Sequence, residues 1–281
     1  MNNITFDTEV IIRLILFTLF FALLAVAELI WPRRPTISFR GQRWLANLGL
    51  SVLNTFTVRL IIPIAGVTAA LWAQDSGIGL FNLVAWPTWL ELVLFVVLFD
   101  LTVYWQHRIF HWLQPLWRLH RVHHTDEGYD LTTGVRFHPL SILLSAALKT
   151  GLAVILGASA AAVLVAELLL NLTSLFNHSN VRLPAWLDNI LRLVVVTPDM
   201  HRVHHSTNFT EHSRNFGFSL SCWDRLFGTY LQDPLCPRAT MPTGIAGYSG
   251  VRTRGLLALL IQPFVSGPVV SGVTPDRVKE S

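Results

Sequence analysis

Three short histidine motifs dominate the chemistry available to this chain. HRIFH spans residues 107–111, HRVHH spans 120–124, and HRVHH returns at 201–205 after a long apolar interval. All 11 histidines of the 281-residue sequence fall between His107 and His212. An α-helix turns about 100° per residue, so positions i, i+3 and i+4 share one face. His107 and His111 stand at i and i+4. His120, His123 and His124 stand at i, i+3 and i+4, as do His201, His204 and His205. Three helical faces, each presenting two or three imidazoles, are the material of a multi-histidine metal site. Imidazole suits zinc, copper, iron and nickel alike, so ligand type does not choose the metal. Number says more: a zinc site takes about three or four protein ligands, and eight motif histidines suit two metal ions.

Other metal patterns are missing. HExxH, the zinc-protease signature, does not occur, and no glutamate precedes a histidine at the spacing of carboxylate-bridged helical di-iron sites. A ligating imidazole donates its second ring N–H to a carboxylate or carbonyl. Asp100, seven residues before His107, and Asp199, two before His201, are the candidates for that role. Asp224 reads as part of a structural turn, pairing with Arg225 or a cap, and Asn208 and Asn215 as holders of water near a metal.

The elements that must position these residues belong to a membrane. Hydrophobic residues make up 52% of the chain and charged residues 14%, against about 25% charged in soluble domains. The net charge of +4 comes from arginines in short loops, a positive-inside pattern and not a nucleic-acid patch. Val10 to Trp31 is long enough to span. Ala25-Val26-Ala27 resembles a signal cleavage site, but acidic residues precede it and the apolar run continues past it. Arg33, Arg34, Arg40 and Arg43 place the next loop in the cytoplasm. A second span is expected from Leu45 to Trp72, kinked at Pro63, with Arg59 facing the bundle or snorkelling. The third begins near Trp89 and carries Asp100, Tyr104, His107 and His111 on one face, followed by an interfacial stretch from Trp112 to Leu119. Residues 139–177 read as a membrane hairpin broken at Gly157-Ala158-Ser159, returning the chain to the same side between His138 and His178.

Beyond it come a short helix from Ala185 to Val196, an apolar stretch from Leu256 to Phe264 too short to span, and a polar tail. Cys222 and Cys236 form no CxxC, and no disulfide is expected. The expected fold is all-α: a polytopic membrane bundle of about three spans plus the hairpin, with a cytoplasmic histidine-rich metal-binding cap. Residues 1–88 hold the N-terminal spans, 89–230 the histidine core with hairpin 139–177, and 231–281 the cap and tail. The N-terminus falls outside and the histidines at the cytoplasmic face of a bacterial inner membrane or endoplasmic reticulum.

HRIFH and the two HRVHH motifs resemble the three histidine boxes of the membrane fatty acid hydroxylase/sterol desaturase superfamily. TPDMHRVHHS (197–206) and NFG with WDRLFGT (from 215 onward) resemble its local signatures, and the likeness covers roughly Asp100 to Tyr230. The resemblance implies a non-haem di-iron centre that uses O₂ to hydroxylate or desaturate a lipid C–H bond, with two iron ions as cofactor. It implies an external electron donor such as a cytochrome b5-like protein or a ferredoxin with its reductase. It assigns metal ligation to His107, His111, His120, His123, His124, His201, His204 and His205. His138 and His178 stand where family members also carry histidine, as further ligands or as helix caps. His212 has no counterpart in the pattern and reads as a loop histidine. Two other classes stay open: a zinc-dependent lipid hydrolase, and a membrane metal-binding protein without catalysis.

Overall fold

The computed structural model describes residues 6–35 and 39–266; the polar tail lies outside the described residues. Those residues form helices and loops, and no strand occurs among them. Among the described residues, four helices are long and apolar enough to cross a membrane: residues 8–30 of α1 (Phe6–Ile30), α4 (Thr88–Trp112), α6 (Pro139–Leu156) and α7 (Ala160–Asn177). α6 and α7 form the expected hairpin. Gly157 closes α6 in the left-handed conformation (φ 65°), and Ser159 caps α7 by accepting from the Ala162 amide. A Cβ on Gly157 would lie 2.5 Å from the Ile78 carbonyl oxygen, so the tip tolerates no larger residue.

α4 packs on α7. Phe95, Phe99 and Val103 of α4 share a core with Ala160, Ala162, Val163 and Ala166 of α7. Small residues on α7 let the two backbones approach, the usual basis of helix packing in lipid.

The expected second span is two helices. α2 (Arg40–Ile61) ends before Pro63, and α3 (Val67–Asp75) starts after Gly66, whose φ is 54°. Proline lacks the amide that would continue the ladder, so the chain breaks rather than kinks. α2 is also not one of the four spanning candidates, because its buried stripe is polar: Arg43, Ala46, Asn47, Leu50 and Asn54. Arg43 Nε and Nη2 donate to the two Asp126 carboxylate oxygens at 2.6 and 3.0 Å, and Nη1 to Asp130 at 3.1 Å. Arg136 donates to Asn47 Oδ1 (3.1 Å) and to the Val122 carbonyl (2.8 Å). This lattice fastens α2 to α5 (Gln114–His124) and to the loop that follows it. Burial alone would raise the Asp126 carboxyl, but Arg43 and Arg136 outweigh it and hold it well below the usual carboxylate range.

Short helices α8 (Ala185–Leu191), α9 (Pro198–His204), α10 (Phe209–His212) and α11 (Cys222–Leu226) build the cap. α8 stops short of the expected Val196 because residues 194–196 instead exchange backbone hydrogen bonds with 219–221. Finally, α12 (Val251–Arg254) leads to α13 (Leu256–Ile261), which packs on α2. The free thiols of Cys222 and Cys236 agree with the expectation of no disulfide.

Candidate metal centre

Nine imidazoles converge in two groups. His107, His111, His120, His124 and His204 form one; His123, His178, His201 and His205 form the other. Within each, the candidate ligand nitrogens lie within 4.8 Å of one another. All nine residues are buried. The first box lies at the end of α4, where Leu113 adopts an extended conformation (ψ 116°) and Pro115 occupies the first turn of α5. That bend folds the second box back against the first. Thr197 caps α9, which carries the third.

Backbone carbonyls aim the rings. The Nδ1 of His107 is 2.8 Å from the Phe216 carbonyl, that of His178 2.7 Å from Ser174, and that of His204 2.7 Å from Arg214. With Nδ1–H so donated, each Nε2 turns its lone pair inward. The Nε2 atoms of His123 and His201 each approach that of His178 to 3.1 Å, and those of His111 and His124 lie 3.1 Å apart. The Nε2 atoms of His107, His204 and His205 are buried with no partner. Burial pushes the His178 imidazole down to about 3 and holds His120, His123, His124, His201, His204 and His205 well below their ordinary value. Neutral imidazole nitrogens converging at this range fit cations, since a metal needs the neutral imidazole.

The hairpin's two ends part company. His178, closing α7, joins the second group. His138 is in neither: it caps α6, Nδ1 accepting from the Leu140 amide at 3.2 Å while Nε2 donates to the Leu260 carbonyl at 3.2 Å. Both nitrogens are thus engaged with backbone. His212, expected in a loop, is instead buried beside the first group, its ring centroid 4.4 Å from His124 and 4.8 Å from His111. The last residue of α10 points inward because Glu211 is tied to Ser206 and to the Leu235 amide.

Neither acid expected to support a ligand touches a histidine. Asp100 accepts from the Ser219 and Leu220 amides and from Trp223 Nε1 at 2.9–3.1 Å, anchoring the cap to α4. Asp199 pairs with Arg33 at 3.1 Å. Indirect support comes from Asp224, which accepts from the Phe216 and Gly217 amides at 2.8 Å and from Thr229 Oγ1 at 2.7 Å. It fixes the turn whose Phe216 carbonyl aims His107, and does not pair with Arg225. Asn215 (φ 54°) clasps Met200 and Leu231, and Asn208 caps α10; neither is placed as a water holder at the metal groups.

A cavity of about 540 Å³ opens from His107 and His120 and runs between α1, α2, α6 and α7 past Val103, Phe110 and Phe137. Four helices apolar enough to cross a membrane, buried imidazoles in two converging groups that could each hold a metal ion, and a cavity leading from them make up the site. Residues 92–229, which include every histidine, match the fatty acid hydroxylase family model, and that segment of the chain belongs to the family. The chain is 34% identical over 64% of its length to ornithine lipid hydroxylase OlsE of Rhizobium tropici and 36% identical over 54% to human alkylglycerol monooxygenase. The alkylglycerol monooxygenase of Danio rerio is 34% identical over 52% of the chain. The chain spans about half the length of the first relative (52%) and a third of the others (33% and 31%). No solved structure matches.

Proposed function

We propose that this chain is a di-iron mono-oxygenase that hydroxylates a lipid with O₂ and electrons from an external carrier. The two convergent imidazole groups beside one cavity carry this reading. His107, His111, His120, His124 and His204 hold one iron; His123, His178, His201 and His205 hold the other. When bound, the pair supplies the oxygen chemistry that breaks an unactivated C–H bond. The protein's own part is to keep nine imidazoles neutral, aim them through carbonyls, and bring a lipid to the His107 and His120 side. Phe137 stacks on His123 at 4.5 Å and Trp117 lies 4.9 Å from His111, so the groups sit behind aromatic walls that exclude water. Hydroxylation is favoured over desaturation because the relatives are a hydroxylase and mono-oxygenases. The arginines of the 33–43 loop sit at the histidine end, which supports a cytoplasmic site.

Purified protein should hold two irons per chain, and lipids from expressing cells grown under ¹⁸O₂ should gain one labelled oxygen. Bound zinc with an O₂-independent hydrolysis product would sink this reading.

A further inference from the structure

The arginine inside the third histidine motif is buried without an acid to itself. Arg202 is 0% exposed, and the carboxylate on its own helix, Asp199, is taken by Arg33 at 3.1 Å. Its Nη2 donates to the Ser179 carbonyl at 3.2 Å and to Asn180 Oδ1 at 3.4 Å. Nε and Nη1 have no hydrogen-bond partner among the described residues. Burying a guanidinium on such terms is costly. What faces the charge is an aromatic ring: Cζ lies 4.6 Å from the centroid of Tyr129, and a cation over a desolvated ring is attracted by its quadrupole.

Tyr129 is also buried, and its φ of 37° lies in the left-handed region. A bulky side chain enters that region only where its surroundings hold it there. Its hydroxyl donates to the Asn177 carbonyl at 2.8 Å, and its ring centroid stands 4.9 Å from that of His205 and 5.8 Å from that of His178. The carbonyls of both chain neighbours of His178 are therefore gripped, Asn177 by Tyr129 and Ser179 by Arg202. The matching arginine of the second motif does something else. Arg121 donates to the Gln262 and Val265 carbonyls, in the segment after α13, and lies 5.2 Å over Tyr248.

We propose that Arg202 and Tyr129 are positioning residues of the four-histidine group, setting the angle at which His178 and His205 meet a metal ion. The pair joins the three segments that supply this group: Tyr129 follows the second motif, Arg202 belongs to the third, and the carbonyls they hold flank His178 at the end of the hairpin. The inference rests on the metal reading above and adds that the two groups are set up by separate contacts.

A competitive chelator titration of cobalt(II) on the full-length protein in detergent, followed by the visible absorption of the bound ion, tests it. Arg202→Met should weaken one of the two bound ions about 10- to 100-fold, the range for contacts that support ligands, and shift the band of that ion alone. The effect should persist when His124→Ala has removed the five-histidine site and vanish when His205→Ala has removed the four-histidine site. Arg202→Lys should return the affinity to within about threefold of the parent, because only Nη2 of the guanidinium is bonded and an ammonium carries the same charge over Tyr129. Tyr129→Phe keeps the ring and drops only the Asn177 bond. It should weaken the same ion about two- to tenfold, and it decides the matter if Arg202→Met fails to fold. Arg121→Met is the matched control and should move neither ion. Unmoved affinities in Arg202→Met and Tyr129→Phe, an equal loss from both sites, or no rescue by lysine would overturn the proposal. A parent protein that takes up no cobalt would sink the metal reading itself, whereas two bound ions that these variants leave unmoved would sink only the positioning pair.

Discussion

The two copies of HRVHH have the same letters and serve opposite groups. In 120–124 the i, i+4 pair His120 and His124 faces the five-histidine group, and His123 faces the other. In 201–205 the i, i+4 pair His201 and His205 faces the four-histidine group, and His204 crosses to the first. Each copy is thus a hinge pin through both groups, and neither group can form from one copy alone. The difference lies in what surrounds them. The five-histidine group draws on α4 and on a ring aimed by the Phe216 turn, while the four-histidine group draws on the end of the hairpin. Identical motifs acquire different duties from the helices that meet them.

Substitutions at the pins break the comparison most sharply. His124→Ala and His205→Ala should each abolish product, with metal analysis showing loss from the five- and four-histidine group respectively. Equal, complete loss of both metals in the two variants would mean that the groups are not separable. A smaller effect is expected from Asp224→Asn, which loosens the turn that aims His107. Metal affinity of the five-histidine group should fall about 10- to 100-fold, the range for supporting contacts of ligands, with the other group unchanged in a chelator titration.

Acid should act on both groups alike. Their imidazoles are held neutral by burial, so the unfolded chain binds protons that the folded chain refuses. Metal-stripped protein should therefore lose stability as pH falls below the ordinary histidine value of 6.5, with the loss from His178 and His212 complete only near 3. Thermal unfolding in detergent at stepped pH reads this directly, and a flat profile between pH 6.5 and 4 would contradict it. His138→Ala should do least: about 1 kcal/mol of stability, the worth of a helix cap, with metal content unchanged.

The hairpin shows how far sequence reasoning reaches. Its length, its break at Gly157 and its return to the histidine side follow from apolar run length and turn chemistry, so they were legible. The fates of His138 and His178 were not, because both are histidines at helix ends with the same local look. What separates them is distant: the Leu260 carbonyl takes one ring, while His123 and His201 face the other. Asp100 illustrates the same limit. Its place on the histidine face of α4 was correct, but the cap amides at 219 and 220 reach it first. The Arg43–Asp126 lattice joins residues more than 80 apart in sequence, and no local pattern announces such a pairing. His212 lies outside both metal groups, as its lack of a counterpart in the pattern implies, but its burial beside them is set by Glu211 contacts across the cap and not by any periodicity.

The hairpin also imposes an order of events on biosynthesis. His123 leaves the ribosome early, but its partner His178 follows only after α6 and α7 have been made and threaded into the bilayer. His201, His204 and His205 come later still. Neither metal site is whole until the translocation machinery has released the hairpin. On the proposed function, metal loading is therefore a late step of maturation, and a nascent chain stalled before residue 204 would expose imidazoles to whatever soft cation the compartment offers.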